Sequence, residues 1–133
     1  MRKPVAGGLC GATVLVWGMF FSAAPDAALA DAPKVIAAEA SPNGDGTYTV
    51  SATIRHADTG WDHYADGFDV LAADGTVLAK RVLFHPHVDE QPFTRSVADV
   101  RVPVGIKAVI VRAHDKVHGD GSVTATAPLP DRN

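Results

Sequence analysis

Polar and apolar positions alternate along most of the chain beyond residue 33. Tyr48, Val50, Ala52 and Ile54 take one side of a run in which Thr47, Thr49, Ser51, Thr53 and Arg55 take the other. Successive side chains of an extended chain point to opposite faces, so this two-residue period predicts a strand with one face buried. Lys34 to Ala40 reads as an earlier strand. A cluster of turn formers, Ser41-Pro42-Asn43-Gly44-Asp45-Gly46, separates the two. Tyr64 to Ala73 is expected as a third strand, with Phe68, Val70 and Ala72 on one face, and Thr76 to Phe84 as a fourth. Asp74-Gly75 between them reads as a two-residue hairpin link, because a type I′ turn wants positive φ at both positions.

Phe93 to Val102, Ile106 to Ala113 and Ser122 to Ala127 supply three more extended runs. The middle one is apolar on both faces apart from Lys107 and Arg112, as a central strand would be. No stretch carries a 3.6-residue period. Seven strands of this length, spaced by turn signals, predict an all-β fold: an immunoglobulin-like or fibronectin-III-like seven-stranded sandwich. A small barrel is the runner-up. The Cys…Trp…Cys spacing of a true immunoglobulin domain is missing from the sequence.

The first 30 residues follow a different pattern. Arg2 and Lys3 precede a run whose apolar centre is Val14, Leu15, Val16, Trp17, Met19, Phe20 and Phe21, and Ala28-Leu29-Ala30 closes it. Charge, apolar run and small-residue site in that order predict a signal peptide over 1–30, cleaved after Ala30. Gly7, Gly8, Gly11 and Gly18 dilute the run and Pro25 interrupts it, which weighs against a spanning helix of ~20 apolar residues. We therefore expect one β domain over 31–133, periplasmic or secreted, with no membrane span. Cys10 is the single cysteine. It lies early in the apolar run, so lipidation there is not expected, and the exported chain would carry neither a disulfide nor a sulfur ligand.

Residues 1–30 hold two of the 12 basic and one of the 15 acidic residues, which leaves ten against fourteen and a net charge of −4. That balance weighs against nucleic acid, or an anionic membrane surface, as the partner.

The six histidines are His56, His63, His85, His87, His114 and His118. If successive strands run antiparallel, successive connections lie at alternate ends of the domain. The Asn43–Gly46, Asp74-Gly75 and Pro103–Gly105 turns then share the lower end. The 57–62, 86–92 and 115–121 connections share the upper end, and every histidine lies in or beside one of these. Asp58, Asp62, Asp66, Asp89, Glu90, Asp115 and Asp120 share that end.

Imidazole with carboxylate, without thiolate or thioether, suits Zn(II) or Cu(II). His85-Pro86-His87 is the sharpest local motif. In an extended chain its imidazoles share a face, and Pro86 stiffens the backbone between them. We take His85 and His87 as the leading ligands, joined by His114 or His118 and by His63, with His56 on the inward register at the end of its strand. The predicted function is that of an exported β-sandwich binding a divalent transition metal through these loop histidines. The alternative is a non-catalytic interaction module for an exported protein or a ligand, anchored by Trp61, Tyr64, Glu90 and Arg95. In a purely structural role, Trp61 and Tyr64 would cap the core, Phe93 would be buried and Arg95 would pair with an acid. The sequence holds no nucleophile motif, phosphate loop or HExxH, so an enzyme is not expected.

Three runs carry a resemblance: Asp58-Thr59-Gly60-Trp61-Asp62-His63-Tyr64-Ala65-Asp66; His85-Pro86-His87 with Glu90-Gln91-Pro92-Phe93-Thr94-Arg95-Ser96; and Ala113-His114-Asp115-Lys116-Val117-His118-Gly119. The chain resembles an uncharacterised family of small exported bacterial β-sandwich proteins that share these motifs. The resemblance implies a single exported β domain and brings no activity or ligand set with it.

Overall fold

The computed structural model describes residues 32–132 together with Arg2, Pro4, Gly7 and Gly8; the predicted leader otherwise lies outside the described residues. The described residues form eight strands and no helix: β1 (Lys34–Pro42), β2 (Tyr48–Arg55), β3 (Ala65–Leu71), β4 (Val77–Val82), β5 (Phe93–Val100), β6 (Ala108–Asp115), β7 (Gly119–Asp120) and β8 (Ala125–Pro128). They make two antiparallel sheets. One has the order β1-β2-β5; in the other the order is β4-β3-β6-β7, with β8 also paired to β6.

The alternation seen in the sequence becomes the core. Tyr48, Val50, Ala52 and Ile54 of β2 are all buried, and they face Phe68 and Val70 of β3 and Val109, Val111 and Ala113 of β6 across the sandwich. β6 is central, as expected, but only one of its faces is fully buried. Its inward register is Val109, Val111, Ala113 and Asp115, while Ile110, Arg112 and His114 are half-buried on the other side. The inward register of β2 likewise runs on beyond its last residue to His56, which is 3% exposed. Each sheet therefore ends its core-facing register on a polar side chain, and both ends lie at the top of the sandwich.

Two local expectations are revised. The link after β3 is not a type I′ turn, because Gly75 alone takes positive φ (89°) there. Gly75 N donates to Ala72 O at 2.9 Å and Ala72 N to Thr76 O at 2.9 Å. That is a three-residue loop with glycine in the left-handed position, a solution that spares Asp74 the strain of positive φ. The eighth strand comes from the 115–121 turn, whose far limb pairs with β6 as Asp115↔Gly119 and His114↔Asp120. The strand directions place the 56–64, 83–92 and 116–118 connections together at the upper end, as the alternation of turns implied.

Candidate functional site

Asp115 lies at the tip of β6, where the hairpin into β7 turns over Lys116, Val117 and His118. Its Oδ1 accepts backbone N–H groups from Val117 at 3.0 Å and from His118, so the carboxylate fastens its own turn. Gly119 makes the return possible at φ 74°. With Oδ1 so engaged, Oδ2 faces the interior and meets three imidazoles: His118 Nδ1 at 2.9 Å, His56 Nε2 at 3.0 Å and His63 Nε2 at 3.0 Å. Ligand atoms of His56, His63 and Asp115 all lie within 4.8 Å of one another, a grouping able to hold a metal ion. The rings crowd accordingly, with centroids 4.8 Å apart for His56–His63 and 5.0 Å for His63–His118.

Five nitrogens thus converge on one carboxylate, which has about four lone-pair sites. The chemistry at His56 is more telling still. Its Nδ1 bonds Asp58 Oδ1, and Asp58 also accepts N–H groups from Ala65 (3.0 Å) and His87 (2.7 Å). An ionised carboxylate only accepts, so His56 Nδ1 carries a proton. In the neutral ring Nε2 is then a lone pair, aimed at the lone pairs of Asp115. Either a second proton or a cation must lie between them. A carboxylate that orients an imidazole from behind is the usual outer support of a metal-bound histidine.

Burial would raise the Asp115 carboxyl, which is 0% exposed. The side-chain and backbone hydrogen bonds from His118, and that from His63, outweigh it and hold the group well below the ordinary carboxylate range. Asp115 is therefore an anion at neutral pH, as a metal ligand must be.

Gln91 ties the connecting loops together. Its Oε1 accepts His56 N–H at 3.0 Å and its Nε2 donates to His87 O at 2.9 Å. From the other side, Lys116 N donates to Tyr64 O, and Lys116 Nζ to Trp61 O, both at 3.2 Å.

Of the six predicted ligands, the structure gathers His56, His63 and His118 on Asp115. His114, on the outward register, turns away and bonds Asp66 at 2.5 Å. His85 and His87, expected to lead the set with His114 or His118 and His63, are not among the imidazoles bonded to Asp115. Their segment is a loop and not a strand, yet the two rings lie together with centroids 4.6 Å apart; His85 is exposed, whereas His87 is 4% exposed and stacks on Phe93 at 3.9 Å. Trp61 does not cap the core. It is 63% exposed and meets Tyr64 edge-on at 5.8 Å. Phe93 is buried, and Arg95 pairs with both oxygens of Glu90 at 3.2 and 3.1 Å, as anticipated. The sequence gives Asp115 and Asp58 no role beyond a place among the acids of the upper end. The signal that singles out Asp115 is its place on the inward register of β6.

These features define an all-β sandwich that carries a buried histidine–aspartate cluster at one end. Over 71 residues the chain is 45% identical to a protein from Halomicrobium mukohataei named "Putative lipoprotein"; the match covers 53% of this chain and 34% of that one. The chain thus spans about a third of that relative's length, and the relative's name carries no activity or ligand. No family model and no solved structure matches the chain.

Proposed function

We propose that the protein is an exported, non-catalytic β-sandwich that binds one divalent transition metal, Zn(II) or Cu(II), through His56, His63, His118 and Asp115. One observation carries the reading: three imidazole nitrogens lie within 3.0 Å of a single buried carboxylate oxygen, while Asp58 takes the outer nitrogen of one of those rings. Three neutral imidazoles and one carboxylate are a hard-to-borderline donor set with no sulfur, suited to these ions. Four protein ligands make a closed tetrahedral set, which favours carriage of the ion or ordering of the loops over catalysis. Export is supported by the leader-like sequence of residues 1–30 and by the name of the lipoprotein relative.

The test is metal analysis of purified protein followed by titration of the stripped form. One tight equivalent, lost in His63→Ala, is the expected result; equal binding by the two proteins would remove the reading. A second reading, docking of an exported partner, draws on the exposure of Trp61 beside Tyr64. Under that reading, Trp61→Ala would weaken partner capture and leave metal binding unchanged.

A further inference from the structure

His87 is the misfit of the upper end. Its ring is buried, yet neither Nδ1 nor Nε2 has a hydrogen-bond partner. The nearest carboxylate oxygen, Asp58 Oδ2, stands 3.9 Å from Nδ1 and is already bonded to the His87 backbone N–H. A buried polar group left unpaired is costly, and native structures rarely leave one without a use. The ring lies flat on Phe93 with both nitrogens unpaired, which leaves it a lone pair to offer.

His85 supplies the complement. Its ring centroid lies 4.6 Å from that of His87, closer than either ring spacing in the Asp115 cluster. The Pro86 carbonyl, an acceptor only, sits 3.0 Å from His85 Nδ1. It fixes the proton there and leaves Nε2 as a free lone pair. Both histidines line an open pocket of about 590 Å³, whose rim includes Trp61, Asp89 and Glu90.

We propose that His85 and His87 form a second metal site, separate from the Asp115 cluster, which takes an imidazole-seeking divalent ion, Cu(II) in particular, from solvent. Two protein nitrogens leave the remaining positions to water or to an external ligand in the pocket, so this site is the weaker and the faster to exchange. Asp58 lies between the two sites: one of its oxygens holds the His56 ring and the other the His87 backbone. The proposal is separate from the buried-site reading and can stand or fall without it.

Stripped protein titrated with Cu(II) alone, followed by calorimetry and by the Cu(II) paramagnetic resonance spectrum, tests it. Wild type should bind one equivalent more than His85→Ala, and that equivalent should give its own spectral signal. His85 is exposed, so the substitution leaves the core untouched. His87→Phe keeps the stack on Phe93 without either nitrogen, and should lose the same equivalent. In His63→Ala this weaker equivalent should persist, whatever happens to the tight one. Equal stoichiometry and superimposable spectra for wild type and His85→Ala would overturn the second site.

Discussion

Two groups of imidazoles share the top of this sandwich and are built on opposite plans. Around Asp115 every ring meets a carboxylate: His56 touches two acids, and His63 and His118 share one of them. In the 85–87 loop the rings lack it, and His87 rests on an aromatic face with its nitrogens unpaired. The difference arises from the elements that carry them. Asp115 ends β6 and His56 directly follows β2, and the two-residue period of those strands aims both inward with the core. His85 and His87 lie on a loop held by Gln91 and by the Arg95–Glu90 pair. A register can place a charge in the interior opposite its partner; a loop folded over Phe93 can bury a ring without providing for it.

The contrast breaks most sharply at Asp115. Asp115→Asn leaves an amide oxygen to fasten the turn but replaces the anionic oxygen that three rings share with an NH2 donor. Metal affinity should fall more than the 10–100-fold typical of an outer-shell change. The metal-free protein should also lose at least about 3 kcal/mol, the scale for deleting one partner of a buried pair. Chemical denaturation of the stripped protein checks the second figure. Asp58→Asn should act next most strongly, since it puts a neutral amide behind the His56 ring without removing a ligand, and affinity should drop by about 10–100-fold.

Acid separates stability from binding. The Asp115 carboxyl is held below its ordinary range, so the stability it contributes is complete above the unfolded value near 3.8. That contribution drains away as pH falls from there toward the folded value. Metal binding needs neutral imidazole, so protons compete with the ion and binding should weaken at higher pH than the fold does. A pH series of melts with and without Zn(II) should therefore converge as pH falls, while the fold itself persists. Coincident loss of the two would contradict the assignment.

His87→Phe sharpens the other half of the contrast. It removes two unpaired buried nitrogens and keeps the stack, so stability should rise by about 1 kcal/mol. Smallest of all is His114→Ala. Its ring bonds Asp66 on the outer side of the sheet, so affinity at the Asp115 cluster should change less than twofold.

Much of this was legible in the residues. The alternation at 48–54 gave β2 and its buried face, and counting turns placed every histidine at one end. The inward aim of His56 followed from continuing that period past Arg55. The same step fails for β6, where Ile110 beside Val109 and Val111 makes both faces look apolar. Only the pairing of β6 with β3 and β8 shows that Asp115 faces in and His114 faces out. The His85-Pro86-His87 motif was legible as a pair of neighbouring imidazoles but not in its place relative to Asp115. The segment is a loop whose course is set by Gln91, Phe93 and Asp58, so no local rule shows that neither ring bonds Asp115.

Calorimetric titration of stripped protein with Zn(II), wild type against Asp115→Asn, reads the central claim most directly. A tight equivalent in wild type that vanishes in the variant is the result expected of three imidazoles gathered on one carboxylate. Identical isotherms, or no tight binding in wild type, would contradict it.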